Sequence, residues 1–145
     1  MIAIDTNVLV YAVNSDDPAH EPCRQFVSDA LATRLVRVPW TVLYEFLRVV
    51  THRAVVPNPL TTEQAWSFVD ALLSAPSFRP LSETDRHATY APHALSAPGV
   101  TGNLVHDAHI AAVLANHGVR EIWTRDQDLH RFRDLTVRDP LTDRW

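Results

Sequence analysis

The sequence predicts an α/β fold in which a mainly parallel sheet is covered by helices on both faces. Short apolar runs at 1–4, 35–38 and 121–124 alternate with longer segments of helical periodicity. Strands that alternate with helices are joined by crossover connections, so they run parallel and are buried on both faces. The 145 residues, 46% of them apolar, match one domain over residues 1–145 with a sizeable core.

The chain begins with a strand and two helices. Residues 1–4 predict a short buried strand, and Asp5-Thr6-Asn7 predicts a turn that enters a helix over the apolar residues 8–13. Residues 19–32 have apolar positions at helical spacing, with Pro22 near the start, where a missing N–H does no harm. Asp5 therefore lies at the carboxyl end of the first strand.

A second strand and two further helices follow. Residues 35–38 predict the strand, and Thr41 is expected to cap a helix whose apolar stripe leaves Glu45 to one side. Thr61 and Gln64 form a possible capping box for a helix that reaches about Ser74.

The next segment is less regular. Residues 78–81 predict a short strand, and residues 83–95 predict a helix that Pro92 interrupts, because proline lacks the N–H of a helix interior.

The last third repeats the pattern of strand and helix. Asn103 is expected to cap an apolar helix over 104–117, which ends at Gly118, a residue suited to a left-handed cap. Asp107 lies in the first turns of that helix. Residues 121–124 predict a strand, and Asp126 follows its carboxyl end. Residues 135–137 predict an edge strand.

Composition excludes several classes of protein. The net charge of −4 is not that of a protein that coats nucleic acid through bulk positive charge, so any such contact is local. The single cysteine, Cys23, excludes an internal disulfide and a zinc site built on several thiolates. No apolar window reaches the ~20 residues of a membrane span, and the N-terminus lacks the basic start of a signal peptide. We therefore expect no membrane association and a cytoplasmic location.

Four carboxylates are placed so that they can share one site. Asp5 and Asp126 lie just after the carboxyl ends of two predicted strands. Glu45 and Asp107 lie early in apolar helices that are expected to pack beside the same sheet. Ligands bind such sheets beyond the carboxyl ends of the strands, near a topological switch point. Any one of these acids alone is typical of a turn or a helix cap, but the combination favours a shared site.

A shared acidic site implies a bound cation. Two like charges at ~4 Å repel by ~1 kcal/mol in water and by ~4 kcal/mol in a partly enclosed site. Such a cluster needs protons or a cation, and clustered oxygen ligands suit Mg²⁺ or Mn²⁺. The pattern therefore indicates phosphate chemistry.

These motifs resemble those of the PIN-domain ribonucleases. The matching segments are Ile4-Asp5-Thr6-Asn7, Glu45 within a helix, His106-Asp107-Ala108 and Thr124-Arg125-Asp126-Gln127-Asp128. The resemblance covers nearly the whole chain and is greatest to the VapC-type toxins. It implies a three-layer α/β/α PIN-like domain.

The resemblance also implies a mechanism and partners. Asp5, Glu45, Asp107 and Asp126 would bind one or two Mg²⁺ or Mn²⁺ ions, with Asp128 as an alternative fourth ligand. Such ions hold the scissile phosphate, lower the pKa of bound water and stabilise the leaving oxygen, which gives a 5′-phosphate and a 3′-hydroxyl. A homodimer and an antitoxin that covers the acidic cleft are implied as well.

Polar residues beside the acids have two interpretations. Thr6, Asn7 and Thr124 can hydrogen-bond to the acids and orient them, or they can serve only as turn and cap residues.

Arginines provide the basic charge, since the chain has no lysine. The candidates for contact with the RNA backbone are Arg48, Arg53, Arg125, Arg131 and Arg133. Each is equally well explained as part of a solvated face.

Our leading hypothesis is a Mg²⁺-dependent endoribonuclease that cleaves structured RNA such as tRNA or rRNA, as the toxin of a type II toxin–antitoxin pair. The alternatives are an RNA-processing nuclease without an antitoxin, a PIN-like scaffold that binds RNA or protein without cutting, and a small-molecule phosphatase. A zinc site at His106 and His109 is disfavoured, because no third ligand follows at a recognisable spacing.

Overall fold

Five short strands form the centre of the molecule, and the computed structural model describes residues 1–145. The strands are β1 (Ala3–Ile4), β2 (Val36–Pro39), β3 (Phe78–Leu81), β4 (Glu121–Trp123) and β5 (Thr136–Arg138). Every strand pair is parallel. The predicted parallel sheet is therefore confirmed, although β1 and β4 are shorter than the apolar runs at 1–4 and 121–124.

The strand order creates a switch point at β1. Strands β1, β4 and β5 are hydrogen-bonded in that order, and β2 pairs with β3. A parallel bridge between Ile2 and Val36 joins the two parts, which gives the order β3-β2-β1-β4-β5. The chain leaves β1 towards β2 and later returns to the other side of β1 at β4. The carboxyl ends of β1 and β4 are thus the expected place for a ligand.

Six α-helices cover the sheet in a three-layer α/β/α arrangement. They are α1 (Thr6–Val13), α2 (His20–Thr33), α3 (Trp40–Val50), α4 (Thr62–Ser74), α5 (His87–Leu95) and α6 (Leu104–Asn116). Helix α1 packs on α2 and α3, α3 packs on α4, and α5 and α6 pack on each other. A 3₁₀ helix at Gln127–Arg131 follows β4. None of the six α-helices combines the length and the apolar composition that a membrane span requires.

The predicted capping box of α4 is confirmed. The Thr61 side chain accepts the Gln64 N–H at 3.1 Å, and the Gln64 side chain accepts the Thr61 N–H at 2.9 Å. Two groups at the helix start that have no partner within the helix are thereby satisfied.

Two other predicted caps are wrong. Helix α3 begins at Trp40, directly after Pro39, so Thr41 is already inside the helix. Asn103 has helical backbone angles, and its side chain makes no capping bond to α6. The N–H of Leu104 bonds instead to the carbonyl of Thr101, because a tight turn precedes the helix and satisfies it through backbone atoms.

Helix α5 is shorter at its start than predicted. It begins at His87 because Thr84 forms the preceding turn, accepting the Arg86 N–H on its hydroxyl and the His87 N–H on its carbonyl. Pro92 lies inside the helix, near its end.

The sheet and helices share one continuous core of 36 buried residues. Trp123 of β4 lies against Phe26 of α2 at 4.6 Å between ring centroids, and Trp145 packs edge-on to Phe26 at 5.3 Å. Cys23 of α2 is fully buried in the same core, and burial raises the pKa of its thiol to about 11. This thiol is therefore neutral near pH 7 and poorly suited to act as a nucleophile.

Candidate active site

A cleft lies at the carboxyl ends of β1 and β4, where the strand order places a ligand. Its volume is about 850 Å³. All five acids singled out from the sequence line it, namely Asp5, Glu45, Asp107, Asp126 and Asp128. The fold thus brings together side chains that are up to 123 positions apart in the chain, from Asp5 to Asp128.

Asp5 is the most enclosed of these acids, with 8% of its surface exposed. Its Oδ1 accepts the Thr6 N–H at 2.7 Å, so Asp5 also caps α1. Its Oδ2 accepts hydrogen bonds from Asn7 Nδ2 at 2.8 Å and from the Thr124 hydroxyl at 2.7 Å. Both carboxylate oxygens are therefore fixed in direction by the protein.

Thr124 connects the ends of the two central strands and is 2% exposed. Its hydroxyl donates to Asp5 and accepts hydrogen bonds from Asn7 Nδ2 and from the Asp126 N–H, each at 2.9 Å. Asn7 in turn accepts the Arg125 N–H at 3.1 Å. Thr124 and Asn7 therefore form one network that holds Asp5 against the loop after β4. The expectation that the Thr6 side chain orients the acids is wrong, because its hydroxyl donates to the Val42 carbonyl at 3.5 Å and only its backbone N–H contacts Asp5.

Asp126 and Asp128 differ in what their carboxylates contact. Asp126 Oδ1 accepts the Asp128 N–H at 2.8 Å and caps the 3₁₀ helix. Asp128 Oδ1 accepts a hydrogen bond from Arg131 Nη2 at 2.5 Å, so the positive charge of Arg131 already neutralises this acid. Asp126 has no such cationic partner.

Burial and mutual repulsion affect Asp5 and Asp107 in the same direction. Burial, together with the negative charges of Asp126, Asp5 and Asp128, raises the pKa of Asp107 to about 6 against the lowering effect of Arg131. Burial also raises the pKa of Asp5 against the opposing effect of its hydrogen bonds. The interior of the cleft is thus an electronegative region that favours a proton or a bound cation.

Glu45 stands at the edge of the cleft on α3 and is paired. Arg48, one turn later, binds its carboxylate through Nε at 2.9 Å and Nη2 at 2.5 Å. These hydrogen bonds hold the pKa of Glu45 below its usual value. Glu45 is therefore negatively charged, and its carboxylate is held in an ion pair with Arg48 of the same helix.

The other candidate arginines fall into two groups. Arg131 is bound to Asp128 and donates to the Pro98 carbonyl at 2.7 Å, and Arg125 lies 3.7 Å from Asp139 and over the Tyr11 ring. Arg53 and Arg133 are exposed, and their side chains take part in none of the ion pairs of the chain. Of the five, these two have guanidinium groups free for an external anion.

The donor set fits a hard divalent cation, although the acids do not form a closed cage. No three acidic, histidine or cysteine side chains are arranged tightly enough to enclose an ion on their own. Mg²⁺ usually keeps several waters and binds one or two carboxylates together with substrate phosphates, which an open cleft of oxygen ligands permits. Asp5 and Asp107 are the two acids of the cleft whose pKa is raised, mainly by burial, and neither takes part in an ion pair.

Two features of the cleft gave no usable signal in the sequence. Tyr11, Asn14 and Asp17, at and after the end of α1, also line it, although 14–17 looks like an ordinary polar turn. His109, which lines the cleft, contacts Glu83 at 2.5 Å. No local sequence motif indicates this pairing, because the two residues are 26 positions apart.

Known proteins are similar to this chain in sequence and in fold. The family model of the PIN domain matches residues 2–135. Ribonuclease VapC48 of Mycobacterium tuberculosis is 33% identical over 139 residues, which cover 95% of this chain and 96% of that protein. Among solved structures, VapBC2 of Rickettsia felis, bound to a promoter DNA fragment, matches with a TM-score of 0.68 at 20% identity, over 96% of this chain and 98% of that one.

A second solved structure has the same fold. VapC20 of M. tuberculosis, described as a sarcin-ricin loop cleaving toxin, matches with a TM-score of 0.64 at 20% identity, over 90% of this chain and 93% of that one. Fold, motif order and full-length sequence similarity therefore agree: the chain belongs to the PIN domain family and, within it, to the VapC type.

Proposed function

We propose that this chain, acting as one nuclease domain over residues 1–145, is a divalent-metal-dependent endoribonuclease and the toxin of a type II toxin–antitoxin pair. The observation that carries the proposal is the cleft at the switch point, where Asp5 and Asp107 have raised pKa values beside Asp126. Carboxylates held together against their own repulsion are suited to a cation that binds a phosphodiester.

The residues have distinct roles in this proposal. Asp5, Asp107 and Asp126 would hold Mg²⁺ or Mn²⁺, and Glu45 would join them after leaving Arg48. When bound, the ion activates water and stabilises charge on the scissile phosphate. Thr124 and Asn7 keep Asp5 in position through the network described above, and Arg53 and Arg133 contact the RNA backbone.

Relatives support this assignment. The curated relative VapC48, identical at one third of the aligned positions, is named a ribonuclease. VapC20, which shares the fold, is described as cleaving the sarcin-ricin loop. We therefore propose a structured RNA of the tRNA or rRNA class as the substrate.

The partners follow from the same comparison. The solved VapBC2 assembly shares this fold and supports our proposal of a cognate VapB-type antitoxin that covers the cleft. We also propose a homodimer as the active form, which rests only on the resemblance to VapC-type toxins. Growth arrest on expression, relieved by a small protein encoded next to this gene, would support the toxin role. Normal growth on expression of active protein would favour an RNA-processing nuclease instead.

Cleavage of total cellular RNA by the purified protein tests the proposed activity. The reaction is run with Mg²⁺ or Mn²⁺, with EDTA, and with two variants: Asp5→Asn in the cleft, and Asp70→Asn, an exposed acid on α4 outside the cleft. We expect discrete new RNA ends for the parent chain and Asp70→Asn only. Asp5→Asn should cut at least about a hundredfold more slowly.

Two outcomes would contradict the proposal. If Asp5→Asn and the parent chain cleave RNA at the same rate, the acidic cleft is not the catalytic site. Intact RNA after incubation with folded, antitoxin-free protein and either metal would favour a PIN-like scaffold that binds without cutting.

A further inference from the structure

A second cavity, of about 590 Å³, lies next to the acidic cleft. It is bounded by α5, α6 and residues 131–135. The ion pair between Asp128 and Arg131, at 2.5 Å, stands between the two cavities, because Asp128 lines the cleft and Arg131 lines the second cavity. A molecule bound in the cleft therefore has this cavity as its neighbour.

The floor of the cavity is apolar because small side chains face one another there. Alanines on α5 and α6, with Val119, Phe132 and Leu135, form it, and the alanines are Ala94, Ala111, Ala112 and Ala115. Most of these residues belong to the continuous core, and larger side chains at the alanine positions would fill the space above it. Its volume falls within the ~300–1,000 Å³ range of small-ligand sites.

The rim of the cavity carries positive charge. Arg120 and Arg133 are exposed, line the cavity and take part in none of the ion pairs of the chain. The one acid on the rim, Asp134, is hydrogen-bonded to His93 at 2.8 Å. Tyr90 adds an aromatic ring to the wall. Two free guanidinium groups above an apolar floor suit a flat apolar group that carries phosphate.

We infer that this cavity binds one unpaired nucleotide of the RNA substrate, on the other side of the Asp128–Arg131 ion pair from the acidic cleft. The base would lie on the apolar floor, and the flanking phosphates would contact Arg120 and Arg133. Proteins commonly read RNA through bases splayed out of loops, which stack on aromatic and apolar side chains. This inference rests on the proposed function for the identity of the ligand, and it explains how a chain with a net charge of −4 holds RNA locally.

Filling the cavity tests this inference without using cleavage. All proteins carry Asp5→Asn to prevent cutting, and binding of a single-stranded oligoribonucleotide of mixed sequence is measured by fluorescence anisotropy in EDTA. Ala115→Phe places a ring in the cavity. The matched control is Ala32→Phe, at an exposed alanine of α2 outside both cavities. We expect Ala115→Phe to weaken RNA binding about tenfold, which is the loss of one stacked base, and the control to bind normally.

Arg133→Gln provides a second variant at an exposed position, in case the larger ring prevents folding. We expect it to weaken binding and to reduce the slope of log affinity against log salt by about 1, as for the loss of one phosphate contact. RNA binding by Ala115→Phe and Arg133→Gln equal to that of Ala32→Phe would overturn the inference. So would a change of oligomeric state in Ala115→Phe with unchanged RNA affinity, because the cavity would then be an interface between copies of the chain.

The two proposals fail in different ways. A chain that cuts no RNA but whose RNA binding is weakened by Ala115→Phe keeps the nucleotide site and loses the nuclease. If the parent chain cuts RNA but Ala115→Phe leaves the RNA affinity unchanged, the nuclease proposal stands and the nucleotide site is refuted.

Discussion

Replacing Thr124 with valine should loosen the acidic cleft while leaving the shape of the side chain nearly unchanged. The hydroxyl of Thr124 makes one hydrogen bond of 2.7 Å to Asp5 and two of 2.9 Å, from Asn7 and from the Asp126 N–H. The residue is 2% exposed, so water does not readily replace these bonds. Valine removes all three at once.

The size of the effect follows from these contacts. A hydrogen bond to a charged carboxylate contributes about 1.5–3 kcal/mol, and one between neutral groups contributes about 0.5–1.5 kcal/mol. Asn7 and the Asp126 amide are only partly buried and regain some water. We therefore expect Thr124→Val to lower the free energy of unfolding by about 2–4 kcal/mol. Loss of the group that orients Asp5 should also weaken Mn²⁺ binding about 10–100-fold.

Urea unfolding without metal and calorimetric titration with Mn²⁺ measure the two effects. Thr124→Ser keeps the hydroxyl and should retain most of the metal affinity. Thr136→Val makes the same exchange at an exposed position of β5 and should change neither quantity. If Thr124→Val unfolds at the same urea concentration as the parent chain and binds Mn²⁺ equally well, the network does not position Asp5.

Three further predictions concern the acids themselves. The folded chain binds a proton on Asp107 up to a pKa of about 6, above the ordinary 3.8, so metal-free stability should fall as the pH rises from about 4 to about 6. Asp107→Asn should flatten that fall in urea unfolding and add about 1 kcal/mol at pH 7, after discounting for its partial exposure; an unchanged pH profile would contradict this. Asp126→Asn should weaken Mn²⁺ binding at least about tenfold more than Asp128→Asn, whose parent carboxylate is already paired, and equal losses would argue against the distinction. Arg48→Met should release Glu45 and strengthen Mn²⁺ binding several-fold in calorimetry, whereas weaker binding would show that the ion pair supports the site.

The sequence predicted the parallel sheet and the positions of the acids because both depend on strong local patterns. A buried strand that ends in a polar turn, as at Asp5 and again at Asp126, places those side chains at one edge of a parallel sheet whatever the details of packing. The capping box at Thr61 was recognised for the same reason, since all its atoms come from four consecutive residues.

The features that the sequence did not predict depend on contacts between distant segments. Thr41 and Asn103 are residue types that favour helix caps, but Pro39 and the turn over 101–103 determine where α3 and α6 begin. Arg131 pairs locally with Asp128, but its hydrogen bond to the carbonyl of Pro98 requires the tertiary structure. The nucleotide cavity arises from alanines of different helices, which no periodicity identifies.

The most direct test of the central claim is a crystal structure of the chain grown with Mn²⁺, with anomalous scattering recorded to locate the ion. The account predicts a peak in the cleft in contact with Asp5 and Asp107, with Asp126 nearby and Asp128 still bound to Arg131. A cleft without a peak at millimolar Mn²⁺, or an ion bound only at His109 and Glu83, would contradict the assignment of these acids as the metal site.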